Sequence, residues 1–518
     1  MSAASATGLR ASARDWLAVA AAILGAFMAI LDILITNAAL ANIQGALGAS
    51  AEEGSWISTA YLMAEILVIP LTGWLAVVFG LRRYLTGSTV LFIVFSVACA
   101  LATNLPQMIL FRAGQGLTGG VLIPVALVIV RARLPAHQQP AGIALFGLAA
   151  TFAPAIGPTV GGWLTDNLSW HYIFYLNLLI GPLAVALQRA ALDPEPPRWE
   201  ELARGDWLGI GLMALGLPAL TFVLEEGQRK DWFGSAAIRN GAILAGIGIA
   251  GFIIRALTAP RPFINLRVLA DPSVGGSCAL MSVLGAVSYG SIYLIPVYCA
   301  QIQGYNAGQI GQVVMWSGLP QLLVFPLLPL LMRRFDPRLL LAIGTGFFIA
   351  SCWINAGLSH DVGRDQLILP QVLRALGQPL FVVSLSQLST AGLSPRDTAD
   401  ASALMNMTRN LGGSVGIAVL STMVARREHW HVSVIAETVT HNALRTQEHL
   451  AALTAGFAAR IADPALAQER AVAALAAQVH REALVMAYAD GFWLVGVGLA
   501  FSLALILLLR RAPAATTA

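Results

Sequence analysis

The feature that most constrains this chain is a series of fourteen apolar stretches, each about as long as the roughly 20 residues that a helix needs to cross a bilayer. Backbone inside lipid must satisfy its own hydrogen bonds, so such stretches form helices. The pattern predicts an all-α polytopic membrane protein with fourteen transmembrane helices. The stretches lie near residues 16-40, 54-78, 84-103, 107-130, 139-164, 170-188, 207-224, 235-257, 273-300, 308-332, 338-357, 366-390, 399-424 and 486-509.

Composition excludes several classes of protein. Only 11% of the residues are charged, whereas soluble domains carry about 25%, so a water-soluble globular protein is excluded. Lys230 is the only lysine and does not follow a glycine-rich turn, which excludes Walker-type ATP coupling by this chain. The four cysteines fall inside apolar runs without metal-ligand spacing and are interpreted as core residues. The first stretch is too long for a signal peptide and contains Asp32, so we interpret it as a retained helix.

The distribution of basic residues predicts the orientation of the chain. Lys and Arg accumulate in short cytoplasmic loops. If the N-terminus is cytoplasmic, 18 of the 31 basic residues lie inside, and the short outside loops hold only Arg229, Lys230, Arg239 and Arg364. We therefore expect both termini to be cytoplasmic.

A repeated motif divides the chain into two related halves. Ile69-Pro70-Leu71 recurs as Phe325-Pro326-Leu327, at an offset of 256 residues (325 minus 69). Spans 1-6 then match spans 9-14, and spans 7-8 are an insertion, which is the plan of a transporter with a site between its halves. The predicted divisions are a cytoplasmic N-terminus 1-15, a first six-helix bundle 16-190, a linker with two inserted helices 191-260, a second bundle 261-511 and a cytoplasmic tail 512-518.

The segment 425-485 differs from the rest because it is polar and rich in Ala, Gln, Glu and His. It lies between the last two spans, on the outside in the predicted orientation, and its periodicity favours a helical hairpin. This hairpin is either a connector or a docking surface for a partner. Its histidines, His429, His431, His441 and His449, are more simply solvated than metal-bound, so we predict no metal site.

Five charged residues stand near the centres of predicted spans: Asp32, Glu65, Arg112, Arg374 and Arg409. Each costs about 2.5-3.5 kcal/mol there on insertion scales, so each must face a cavity or an opposite charge. We predict an Asp32-Arg112 contact, either as a structural ion pair or as a site where Asp32 loads and releases a proton. Glu65 is either a second proton or cation site or a hydrogen-bonded structural acid.

Further polar and aromatic side chains have the helical spacing to line a central cavity, although each can equally be a packing residue. Spans 9-14 have arginines but no central acid, which suits an anionic or neutral substrate group. The predicted cavity residues are Thr36, Tyr61, Gln115, Tyr289, Tyr293, Gln312, Trp316, Arg374, Gln378, Asn406 and Arg409.

Several motifs resemble those of the fourteen-helix drug:proton antiporter branch of the major facilitator superfamily, the EmrB/QacA type, over essentially the whole chain. The motifs are Leu31-Asp32-Ile33 with Asn37, Arg112-Ala-Gly-Gln115-Gly116, Gly157-Pro158-Thr-Val-Gly161-Gly162, Trp170-His-Tyr-Ile-Phe174-Tyr-Leu-Asn177 and Asn406-Met-Thr-Arg409-Asn410.

The resemblance implies export of amphipathic toxic compounds in exchange for protons, without catalysis and without a cofactor beyond the proton motive force. Asp32 and Glu65 would then carry protons, and Arg112 would couple them. Gly157, Pro158, Gly161 and Gly162 would seal or pivot the helices.

The long loop is similar to that of the Gram-negative EmrB-like subset. That similarity implies an inner-membrane location and work with a periplasmic membrane-fusion adaptor and an outer-membrane channel.

The chain also departs from the family pattern. The loop after span 2 has Val77 where the family has an Asp, so the charge switch assigned to that Asp cannot operate here. A proton-coupled exporter of one metabolite, such as an aromatic acid, remains an alternative. A membrane-embedded enzyme is less favoured, because the sequence lacks the clustered Asp and His residues that such enzymes carry at the membrane surface.

Overall fold

The computed structural model describes residues 10–508 except 136, 261, 391, 392, 394 and 441. This part of the chain forms twenty α-helices and three short 3-10 helices. The α-helices are α1 Ala13–Ala38, α2 Leu40–Ala46, α3 Ala51–Gly54, α4 Trp56–Val68, α5 Thr72–Phe79, α6 Leu81–Ala100, α7 Leu105–Arg133, α8 Gln139–Asn167, α9 His171–Ala191, α10 Trp199–Ala203, α11 Trp207–Glu226, α12 Ala236–Thr258, α13 Pro272–Gln301, α14 Ala307–Val314, α15 Gln321–Arg334, α16 Pro337–Asn355, α17 Arg364–Thr390, α18 Pro395–Thr438, α19 Leu444–Ala458 and α20 Pro464–Leu508.

The predicted all-α membrane architecture is confirmed. Within the described residues, twelve helical segments are long and apolar enough to cross a membrane, and α4 with α5 forms a thirteenth span bent by 65°. The bend lies at Ile69-Pro70-Leu71, where proline lacks the backbone donor that a continuous helix requires. The remaining predicted span, 399-424, lies within the 44-residue helix α18, which packs along α13 but is more polar than the other spans.

The two halves repeat the same helix packing. In the first half, α1 packs against α7, α8 and α9, and α6 packs against α7 and α9. In the second half, α13 packs against α17, α18 and α20, and α16 packs against α17 and α20. The sequence repeat predicts this correspondence, with α11 and α12 as the insertion.

The halves meet along two sets of helices. On one side α8 packs against α14 and α15, where Thr159 contacts Gly311. On the other side the inserted helix α11 packs against both α4 and α18. Near the α7–α8 connection, Arg131 donates hydrogen bonds to Ser386 (3.2 Å) and to Ser402. The inserted helices are therefore part of the interface between the halves.

The predicted hairpin 425-485 is three helical stretches rather than two, because α18 continues to Thr438 before α19 and the first part of α20. α19 packs along α20. At the base of this segment, Arg427 and His431 both bond the same Asp490 oxygen, at 2.6 and 2.8 Å. His449 bonds Gln478 instead, so these two histidines have separate partners. His441 lies outside the described residues.

Candidate functional site

Among the most buried charged groups of the described residues is the predicted pair of Asp32 on α1 and Arg112 on α7. Arg112 Nη1 lies 2.6 Å from Asp32 Oδ2, and both side chains are 1% exposed. Gln115, one turn along α7, donates to Asp32 Oδ1 (2.8 Å) and accepts from Arg112 (2.7 Å). Thr36 lies one turn from Asp32 and donates to its carbonyl oxygen. The spacing along each helix therefore places four of the predicted residues in one cluster.

Two further helices complete this cluster. Asn177 on α9 donates to Asp32 Oδ1 (2.6 Å) and to Ser96 on α6 (2.9 Å). Ser96 in turn donates to the carbonyl oxygen of Phe174. Asn177 entered the sequence analysis only as part of a family motif, and Ser96 was missed. In the sequence, each of these two residues was indicated only by being a polar residue in an apolar span.

Glycines on α7 allow the close contact with α4 that surrounds Arg112. A Cβ on Gly116 would collide with the Tyr61 carbonyl oxygen, and one on Gly120 would lie 2.9 Å from the Glu65 carbonyl oxygen. The Tyr61 ring packs over the Arg112 guanidinium, 4.4 Å from ring centroid to Cζ. Tyr61 is fully buried here, so this residue, predicted to line the cavity, supports Arg112 in this structure.

This arrangement makes the charges of Asp32 and Arg112 interdependent. Three side-chain N–H groups reach the Asp32 carboxylate, which favours its ionised form. A proton on Asp32 would remove the counter-charge of Arg112 and leave a buried cation without an anion, which is costly in a membrane interior. A change in protonation must therefore be accompanied by a movement that gives Arg112 water or another anion.

Glu65 lies on α4, the helix that packs against α7 beside Arg112, and is 6% exposed. The next residue, Ile66, packs in the apolar core of the second half. At the position of Glu65, α4 therefore contributes to the contact between the halves.

Around Arg409 the second half presents a polar and aromatic group. The guanidinium lies 6.0 Å from the centre of the Tyr289 ring, and the Tyr289 hydroxyl donates to Asn410 (3.3 Å). Asn406 donates to the Ser402 carbonyl oxygen, one turn earlier on α18. A Cβ on Gly413 would collide with the Tyr289 ring, so glycine is what allows this tyrosine to pack against α18.

Arg374 on α17 is the second-half counterpart of Arg112 but lacks its anion. It is 6% exposed, and within the described part of the chain no ion pair joins it. Beside it on α17, Gln378 accepts from Gln321 (3.3 Å). The remaining predicted cavity residues differ in exposure: Tyr293 and Trp316 are half-buried, the latter with an unbonded indole N–H, and Gln312 is exposed.

The Gly157-Pro158-Thr-Val-Gly161-Gly162 motif lies in α8 and packs against α1 of the same half. A Cβ on Gly157 would lie 2.9 Å from Leu34 Cβ, and one on Gly161 would lie 3.0 Å from the Ile35 carbonyl oxygen. These glycines let α8 approach the turn of α1 that follows Asp32. The other two motif residues are Pro158, inside the continuous helix α8, and Gly162, which is buried.

Comparison with known proteins agrees with this architecture. The family model described as Major Facilitator Superfamily matches residues 22–417. The chain belongs to this superfamily, in its EmrB-like drug:proton antiporter branch. It is 32% identical to the "Colistin resistance protein EmrB" of Acinetobacter baumannii over 475 residues, 92% of each chain. It is 29% identical to the "Multidrug export protein EmrB" of Escherichia coli K12 over 476 residues, 91% of this chain and 90% of the relative.

A solved structure supports the fold of this EmrB-like protein. The crystal structure of the peptide transporter POT matches this fold with a TM-score of 0.58 and 15% sequence identity, over 95% of both chains. At that identity the likeness concerns the arrangement of helices alone. It agrees with the two repeated halves described above.

The EmrB-like chain also has an acidic pair that sequence analysis missed, Glu225 and Glu226 at the end of α11. Glu226 is 1% exposed and accepts hydrogen bonds from Ser55 (2.9 Å) and Thr59 (3.2 Å) of α4. The predicted span ended at residue 224, so both carboxylates fell in a supposed loop. Only the packing of α4 against α11 reveals that the second carboxylate is buried.

Proposed function

We propose that this chain is a proton-coupled multidrug efflux transporter that exports amphipathic toxic compounds across the bacterial inner membrane by alternating access. The single observation that carries the proposal is the buried Asp32–Arg112 cluster in the first half. The names of the two relatives, a multidrug export protein and a colistin resistance protein, support drugs as the substrate class.

Proton exchange would begin at Asp32. In the sealed cluster Asp32 is held ionised by Arg112, Gln115 and Asn177. When the halves separate on one side, water reaches the cluster and a proton can bind Asp32. Arg112 then loses its counter-charge and turns toward the remaining acid, Glu65, whose neighbour Ile66 packs in the core of the other half. The state of the proton is thereby linked to the contact between the halves.

Substrate binding would use the second half. Tyr289 and Trp316 offer aromatic surface, Gln378 offers an amide, and Arg374 offers a buried cation without an anion. Ligand sites are mostly apolar with a few placed polar groups, so this set suits a wide amphipathic compound. A substrate that neutralises Arg374 would be favoured over one that adds positive charge beside it.

The outer segment formed by the end of α18, α19 and the start of α20 would dock a periplasmic membrane-fusion adaptor, which in turn joins an outer-membrane channel. The support is the polar composition of this segment and its extent beyond the membrane helices. Both termini would be cytoplasmic, because this orientation places most short-loop arginines inside. The division into domains predicted from the sequence is part of this proposal.

The experiment that tests the proposal measures lumenal pH in liposomes containing the purified protein under an imposed proton gradient. A panel of lipophilic cations, weak acids and neutral drugs is added to wild type, Asp32→Asn and the matched control Asp166→Asn. Asp166 is exposed at the end of α8. We expect several compounds to trigger proton flux in wild type and in the control, and none in Asp32→Asn.

Other results lead to different conclusions. Flux with a single compound would favour the exporter of one metabolite. Flux that persists in Asp32→Asn and disappears in Glu65→Gln would move the proton carrier to Glu65. Wild-type liposomes that give no proton flux with any compound would contradict proton-coupled drug export.

A further inference from the structure

The inserted helix α11 contacts both halves of the transporter at one end. Glu226, its last residue, accepts from Ser55 and Thr59 of α4 in the first half. Glu225, its neighbour, is half-buried. Glu226 therefore joins α11 to α4, in a helix that also packs against α18.

Aromatic contacts strengthen the same two attachments. Trp56 of α4 stacks on Phe222 of α11, with 5.3 Å between ring centroids. Trp232, in the turn after α11, donates its indole N–H to Thr422 of α18 (3.1 Å). In the predicted topology all these contacts lie at the outer end of the α4–α11–α18 interface. This is an interface that must widen when the outer side of the cavity opens.

The charge at this point is only partly balanced. Glu225 and Glu226 are adjacent in the chain, and Arg229 Nη1 lies 3.6 Å from Glu226 Oε1 but is half-exposed. Glu226 Oε2 is buried without a hydrogen-bond partner. This oxygen is the one at which a proton would be added to Glu226.

The other groups that face the pair are few. α4 presents the Ser55 and Thr59 hydroxyls, with Glu65 deeper on the same helix. The turn after α11 carries Arg229 and Lys230. α12 packs on α11 through apolar contacts near Gly241. Arg229, whose guanidinium forms an ion pair with Glu226, is a cation placed to respond directly to the charge of this carboxylate.

We propose that Glu226, with the adjacent Glu225, forms a protonation-controlled clasp that holds the inserted helix against α4, while Trp232 holds the following turn against α18. The clasp keeps the outer end of the α4–α18 interface closed. Ionised carboxylates accept strong hydrogen bonds from hydroxyls and attract Arg229. Full protonation from the outer side weakens the hydrogen bonds and removes the attraction to Arg229, so the clasp weakens and the interface opens. The insertion is then a part of the gate rather than a peripheral addition.

The test is a distance measurement by pulsed electron paramagnetic resonance on the full chain in lipid nanodiscs. Spin labels are placed on Ala46→Cys, at the end of α2, and Ala436→Cys, on the outer part of α18, both of which are exposed. The four native cysteines are buried and serve as the unlabelled background, measured in the protein without the introduced pair. Distances are recorded between pH 5 and 8 in wild type, Glu225→Gln/Glu226→Gln and the control Glu469→Gln.

We expect the fraction of long distances in wild type to rise as the pH falls. The double variant should show a long-distance fraction roughly threefold or more above wild type at pH 8 and a weaker response to pH, because its side chains cannot ionise. Glu469→Gln, which removes an exposed carboxylate on α20, should match wild type. Ser55→Ala/Thr59→Ala keeps both carboxylates and should also raise the long-distance fraction. Agreement between the two variants would show that the change does not come from a folding defect in the double Gln variant.

Equal long-distance fractions in wild type and in both clasp variants at every pH would overturn the proposal. The inference rests on the proposed alternating access, yet the measurement needs neither substrate nor proton flux. Failure of drug-triggered flux in liposomes would refute the proposed function, whereas an unchanged distance distribution would refute only the clasp.

Discussion

Removal of one charge from the Asp32–Arg112 pair should cost far more than removal of both. Asp32→Asn preserves the shape of the side chain but leaves Arg112, which is 1% exposed, without an anion. Breaking a buried pair from one side costs about 3–5 kcal/mol. Arg112→Gln should cost a similar amount because it leaves the carboxylate unpaired. In Asp32→Asn/Arg112→Gln no buried charge remains, and we expect a loss of only about 1–2 kcal/mol, from hydrogen bonds and packing.

The assay is thermal unfolding of the purified protein in detergent, followed by a thiol-reactive dye that reports exposure of the buried cysteines. For a chain of this length a loss of 1 kcal/mol lowers Tm by about 1 °C. We therefore expect each single variant to unfold roughly 3–5 °C below wild type and the double variant to recover at least half of that loss. The control Asp166→Asn should stay within about 1 °C of wild type, as surface substitutions usually do. Single-variant losses that add in the double variant would refute the argument that the two charges depend on one another.

Three further outcomes follow from local geometry. Gly116→Ala should destabilise the protein by about 1–3 kcal/mol and reduce transport, because the new methyl group collides with the Tyr61 carbonyl oxygen. The matched control is Gly87→Ala on α6, where nothing lies within 4 Å. Equal Tm values for the two variants would contradict the prediction. The hydrogen bond from Arg133 lowers the pKa of Asp193, so the stabilising effect of the ionised Asp193 is present above about pH 4 and lost as the pH falls further. The Tm difference between wild type and Asp193→Asn should therefore shrink as the pH falls below about 4. A difference that grows in acid would contradict this role of Asp193. Replacing α19 with a short Gly/Ser linker should abolish drug resistance in cells while flux in liposomes persists, and loss of both would argue against a docking role.

Some residues of the candidate site could be predicted from the sequence, and others could not. Asp32 and Arg112 were recognisable because charges in apolar spans need partners, and these two carry opposite signs in the same half of the chain. Asn177 and Ser96 were not predicted as partners, since a neutral polar residue in a span has no such requirement. The buried position of Glu226 was missed because the apolar stretch before it ended at the membrane edge, where an acid is normally solvated.

The sequence by itself determined the number and order of the apolar stretches, the repeat that relates the two halves, and the presence of charges that cannot face lipid. These properties follow from the cost of exposing polar groups to hydrocarbon, which acts on each segment separately. Only the tertiary structure decided the rotation of each helix about its axis. That rotation sets the contacts of Asp32, the burial of Glu226 and the packing of α11 between α4 and α18. Lipid tails and protein interiors are equally apolar, so hydropathy alone does not distinguish a face that packs against a neighbouring helix from one that faces lipid.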